Sequence, residues 1–182
     1  MTEVCAGQNG GCATLTNCHT ANVNIPGLVI RTADHNDLEQ LSDLERLVFG
    51  RLSYPYFVLR QLLDVHRDHW LVADRDATIC GYALAAPSAD GHSAWLLGLG
   101  VRPDHRGLGL GSALLARSLD LLRMTPVHQV RLTVEPGHAS LTELYSSAGF
   151  CAEVTIRDYL GPGEDRVVMV AHLERNTEHD TV

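Results

Sequence analysis

Residues 101–112 read Val-Arg-Pro-Asp-His-Arg-Gly-Leu-Gly-Leu-Gly-Ser, with glycines at 107, 109 and 111 directly after Arg106. Glycine lets a chain turn tightly and brings successive amides close to a ligand, and a helix start adds unpaired N–H groups and a positive dipole end. Arg106 adds a charge-assisted hydrogen bond. The chemistry implied is a cradle for a diphosphate. On the glycines alone, a purely structural turn is the alternative. The run is not a P-loop, because no lysine precedes Ser112. Nor do the three glycines form G-x-G-x-x-G behind a regular βαβ unit.

Such a cradle needs a strand before it and a helix after it. Residues 94–101 read as a strand, and residues 113–122 as a helix whose leucines leave one apolar face for a sheet. Upstream, residues 28–31 suggest a first strand. Leu38, Leu41, Leu44 and Val48 then recur at helical spacing, behind the capping residues Asp34, Asn36 and Asp37. Residues 51–56 read as a loop and 57–63 as a second short helix. Residues 70–73 and 79–85 flank a polar turn and predict an antiparallel hairpin. Residues 130–134 form a further strand, 139–147 a helix, and 150–157 and 166–171 two closing strands joined through Gly161, Pro162 and Gly163. The expected architecture is one mixed α/β domain over residues 26–173. A flexible extension is expected over 1–25 and a polar tail over 174–182.

Composition narrows the partners. The 182 residues suit one domain, and they hold 14 arginines, no lysine and 22 acidic residues, a net charge of -8. That balance disfavours nonspecific binding to a phosphate backbone, so no nucleic-acid partner is expected. No stretch is long and apolar enough for a transmembrane helix, and none is expected to meet a membrane. The first residues carry Glu3 and no continuous apolar run, so no secretory leader is expected and the default setting is cytoplasmic. The spacing of Cys5, Cys12, Cys18, Cys80 and Cys151 fits neither a disulfide scaffold nor a familiar zinc site, with Cys18 beside His19 the weak exception.

The residues around the glycine loop resemble the Gcn5-related N-acetyltransferase (GNAT) family, whose acetyl-coenzyme A loop follows Gln/Arg-x-x-Gly-x-Gly/Ala. Arg106, Gly109 and Gly111 occupy that pattern. The resemblance continues through Leu-Thr-Val-Glu-Pro-Gly-His at 132–138 and Leu-Tyr-Ser-Ser-Ala-Gly-Phe at 144–150, and covers about residues 28–171. It implies a central, mostly antiparallel sheet flanked by helices, with acetyl-coenzyme A as donor. Leu99 and Val101 would align the pantetheine arm, with the Val101 amide near the thioester carbonyl. Arg106, Gly107, Leu108, Gly109, Leu110, Gly111 and Ser112 would hold the diphosphate. Parting strands at 96–101 and 131–134 would make the room. His138 stands where the family carries Asn, and is read either as a cofactor contact or as a helix cap. Tyr145 matches the family's proposed general acid, with cofactor positioning or aromatic packing as the alternative.

Among relatives the resemblance is nearest to protein Nα-acetyltransferases, implying a primary amine acceptor. A peptide or protein N-terminus is favoured over a small amine, antibiotic or metabolite. Tyr54, Tyr56 and Tyr159 are candidates to line the acceptor groove. Glu164 and Asp165 are read mainly as supports of the last hairpin. The carboxylate the family usually carries on the strand before the loop is absent from residues 96–100, leaving Glu45, His92 and Glu135 as candidate bases. Glu45 otherwise reads as the solvent side of the first helix, His92 as a turn residue and Glu135 as a strand-end group. Direct attack by the amine needs no acetyl-cysteine, and neither Cys80 nor Cys151 has a base beside it in sequence. A weakly catalytic acyl-coenzyme A-binding protein is the competing class. A monomer or homodimer is expected.

Overall fold

The computed structural model describes residues 25–174, so the readings on Cys5, Cys12, Cys18, His19 and the C-terminal tail lie outside the described residues, Glu174 apart. Seven strands form one sheet in the order β1-β2-β3-β4-β5-β7-β6. They are β1 Leu28–Thr32, β2 Trp70–Arg75, β3 Thr78–Pro87, β4 Ser93–Val101, β5 Gln129–Val134, β6 Cys151–Ile156 and β7 Arg166–His172. Every neighbouring pair is antiparallel except β4 with β5. The four α-helices among the described residues are α1 Leu38–Phe49, α2 Tyr56–His66, α3 Leu110–Arg123 and α4 Ala139–Ser147.

The central strands are apolar on both faces because helices cover both. Trp70, Val72, Tyr82 and Leu84 pack against Leu38, Leu41, Leu44, Leu59 and Leu63 of α1 and α2. Leu71, Ala73, Ala83 and Ala85 turn the other way, into a core shared with Leu110, Leu114, Leu115 and Leu119 of α3 and with Tyr145 and Ala148 of α4. The first helix is reached through a capping box, in which Asp34 accepts from the Asn36 amide at 2.7 Å and Asp37 returns to the Asp34 amide at 2.8 Å.

Several boundaries differ from expectation. α2 begins at Tyr56, immediately after Pro55, and runs on to His66. The expected loop before it is partly a 3₁₀ turn at Gly50–Leu52. α3 starts at Leu110, so Gly111 and Ser112 lie inside its first turn. Glycine there suppressed the helical pattern without preventing the helix, because Leu110 is buried and anchors the turn.

Candidate active site

β4 and β5 pair only at Ser93, Ala94 and Trp95 against Gln129, Val130 and Arg131. Beyond that point they part. The register of β4 on β3 shifts there too: Leu84 faces Gly98 and Ala85 faces Leu96, which leaves Leu97 as an extra residue. A bulge of this kind bends one strand away from its neighbour. The divergence was expected from the resemblance; the bulge that produces it was not.

On the open stretch of β4, backbone groups alternate between its two edges. The Arg102 amide donates to the Cys80 carbonyl at 2.9 Å, which turns Gly100 toward β3 and leaves Leu99 and Val101 facing the gap. At the mouth, Gly107 and Gly109 adopt φ of 75° and 77°. Gly109 is the N-cap of α3 and supplies no side-chain cap. The first i→i-4 bond of the helix is Ala113 to Gly109, at 3.0 Å, so the amides of Leu110, Gly111 and Ser112 precede any helical acceptor. The amides of Gly107 and Leu108 make no hydrogen bond among the described residues. Gly111 needs neither a positive φ nor space, since an added Cβ would meet Leu144 and Val101 at an ordinary 3.8 Å. Leu110 is buried, so only its amide is available at the mouth. Arg106 is exposed and lies back over the strand end, its Nε donating to the Val101 carbonyl at 3.2 Å. That contact occupies one of the groups assigned to the donor arm.

Tyr145 lies on α4 in the core that also holds Leu96, Leu132 and Val134, 6 % exposed, its ring edge-on to Phe150 at 6.0 Å. Burial pushes its phenol up to about 12, and its hydroxyl has no hydrogen-bond partner among the described residues. His138 caps α4, its Nδ1 accepting from the Leu141 amide at 3.4 Å.

The candidate bases separate clearly. His92 is exposed at the closed end of the strand pair, its ring 5.7 Å from that of His128, so it cannot serve a reaction in the open fork. Glu135 is exposed just beyond β5, on the rim of a cavity of about 590 Å³ between α4 and the β6–β7 sheet face. Glu45 does not face solvent as its alternative reading had it. It is 1 % exposed, accepts from the Tyr54 amide at 2.8 Å and from the Tyr82 hydroxyl, and burial raises its carboxyl above the usual range.

Tyr82 was missed in the sequence. Its ring lies flat over β4, where a Cβ on Gly98 would come within 2.5 Å of its hydroxyl and one on Gly100 within 2.9 Å of its ring. Alternating glycines inside a strand mark such a close approach, and were the available signal. Desolvation first, then the charge of Glu45, keeps this phenol protonated, and Tyr145 is near enough to add to the effect.

The two loops expected to receive the acceptor are tied together. Glu164, before β7, accepts from Arg51 of the α1–α2 connection and from Arg166 Nη2 at 2.8 Å. Asp165 holds the Asp158 amide at 2.9 Å, so both residues do support the last hairpin. Tyr54 is partly buried, and Tyr159 is close enough to help raise its phenol after burial and Glu45. Tyr56 is 48 % exposed on the first turn of α2.

A sequence profile of the acetyltransferase (GNAT) family matches residues 36–150. An N-alpha-acetyltransferase of Sulfurisphaera tokodaii is 27% identical over 158 residues, spanning 79% of this chain and 92% of that protein. A mycothiol acetyltransferase of Clavibacter michiganensis is 37% identical over 100 residues, which is 55% of this chain and 30% of the relative. The crystal structure of a ribosomal-protein-alanine N-acetyltransferase from Brucella melitensis superposes with a TM-score of 0.68 at 27% identity, covering 80% of this chain and 99% of the other.

Proposed function

The chain belongs to the acetyltransferase (GNAT) family, and from that premise we propose that it moves an acetyl group from acetyl-coenzyme A to the α-amine of a peptide or protein. The observation that carries the reading is the early end of β4–β5 pairing, which leaves the Leu99 and Val101 backbone turned into a gap whose mouth is the glycine cradle. The residues present fit the donor: unpaired amides for its diphosphate, a strand edge for its amide-bearing arm, and a buried phenol beside the gap. Bound there, the donor supplies an acetyl thioester.

The chain's own groups have separable tasks. Amides from Gly107 to Ser112 hold the anionic end, with Arg106 swinging from the Val101 carbonyl to join them. Leu99 and Val101 would orient the arm through their backbone groups, and the Val101 amide would supply a hydrogen-bond donor for charge developing on the donor's carbonyl oxygen. Tyr145 keeps a proton at its hydroxyl for the departing sulfur. Tyr54 and Tyr159, on the two tied loops, line the acceptor side. The Sulfurisphaera relative, an N-alpha-acetyltransferase that this chain matches along most of both lengths, supports a peptide acceptor.

The test is transfer from acetyl-coenzyme A across a panel of peptides and small amines, read by product mass. Acetylation of α-amines, strongest with apolar residues after the first, is the expected result. Transfer confined to small amines would support the second reading, which the mycothiol acetyltransferase match favours. Donor binding with no transfer to any amine would support the weakly catalytic class.

The cradle has its own test. Alanine at Gly109 must hold a φ near 77°, at a cost of roughly 1–2 kcal/mol in the left-handed region. Gly109→Ala is expected to weaken acetyl-coenzyme A binding about tenfold by calorimetry, because the amides that hold the diphosphate follow it directly.

A further inference from the structure

We propose that Glu45 is a positioning residue that braces the acceptor loop against the donor strand. The inference rests on the acetyltransferase reading above and adds a role to a residue that reading leaves unused. Glu45 faces inward from α1 and its two oxygens take different partners. Oε2 accepts from the Tyr54 amide at 2.8 Å, fixing the loop between α1 and α2. Oε1 accepts from the Tyr82 hydroxyl, and Tyr82 lies against Gly98 and Gly100 of β4. One buried carboxylate therefore joins the loop that would receive the amine to the strand that would orient the donor.

Both oxygens are taken by donors and the residue is sealed from solvent, which suits a brace and not a base that must meet the amine. The two roles separate under substitution. In Glu45→Gln, the side-chain oxygen still accepts from the Tyr54 amide while its amide group donates to the Tyr82 hydroxyl, so the bridge survives without the charge. In Glu45→Ala the bridge is lost. Tyr82→Phe removes one arm, keeps the ring and serves if Glu45→Ala does not fold.

Two measurements decide. With the best acceptor from the panel, Glu45→Ala is expected to raise acceptor KM about tenfold and Tyr82→Phe about threefold, with acetyl-coenzyme A affinity and kcat changed less than about threefold. Glu45→Gln is expected to restore most of the KM. Without any substrate, trypsin is expected to cut after the exposed Arg51 about tenfold faster in Glu45→Ala, about threefold faster in Tyr82→Phe, and near the native rate in Glu45→Gln. Glu45→Gln losing kcat as fully as Glu45→Ala, with the acid side of its rate profile flattened, would make Glu45 the base and overturn the proposal. Unchanged cleavage and KM in both bridge-breaking variants would overturn it too. If the wild-type protein acetylates nothing, the transferase reading fails while the cleavage measurement still decides the brace.

Discussion

Replacing Tyr145 with phenylalanine is expected to lower turnover about 100-fold while acetyl-coenzyme A binds as before. The hydroxyl has no hydrogen-bond partner among the described residues, so its removal costs the fold little, and the ring keeps its edge-on contact with Phe150. Thermal unfolding should therefore stay close to native, which isolates the chemical effect. With the phenol near 12 and an ordinary thiol near about 8.5, complete proton transfer to sulfur would run uphill by about 5 kcal/mol. The hydroxyl would thus act mainly by hydrogen bonding to sulfur as charge gathers there. Single-turnover rates and donor calorimetry on the variant check both halves. Unchanged turnover would take Tyr145 out of the chemistry, and lost donor affinity would make it a positioning group.

The second large effect is expected at Gly98. A Cβ there would lie 2.5 Å from the Tyr82 hydroxyl and 2.9 Å from its ring, and that ring is fully buried between β4 and the α1–α2 core, with little room to yield. Gly98→Ala should cost about 1–3 kcal/mol in denaturant unfolding. The glycine is not among those with positive φ, so the penalty is one of space and not of backbone strain. Trimming the ring in a Gly98→Ala, Tyr82→Leu double variant should recover part of that loss, and the resulting coupling energy measures the contact. Simple additivity of the two substitutions would show that Tyr82 does not fill the space Gly98 leaves.

The fold was readable because its signals are local. Leu38, Leu41, Leu44 and Val48 announce α1, and the paired apolar runs of β2 and β3 announce a sheet covered on both sides. The glycine loop was legible because φ near +75° at Gly107 and Gly109 is a demand on residue type itself. What escaped depends on register. The extra residue Leu97 in β4 has no signature of its own, since a bulge belongs to a pair of strands and not to either one. Glu45 could have been suspected, because it falls on the same helical stripe as Leu38, Leu41 and Val48, where a charge must find partners. Its partners, Tyr54 and Tyr82, lie 9 and 37 residues away in sequence, and only folding brings the second to it. His92 shows the reverse error: its type suits a base, but strand direction carries it to the closed end.

The parting of β4 from β5 creates an unusual kind of boundary. Rows of unsatisfied main-chain groups normally occur at the margins of a sheet, where they invite foreign strands and where charge discourages such additions. The outer strands here carry Arg31 on one side and Glu153 on the other. The inner row has no such charged guard within residues 96–101. Its defence is shape, since a wedge that narrows to nothing at Trp95 and Arg131 cannot seat another strand beside both of its walls. On the proposed reading, a slender chain that needs partners on one wall would enter where a second polypeptide strand would not.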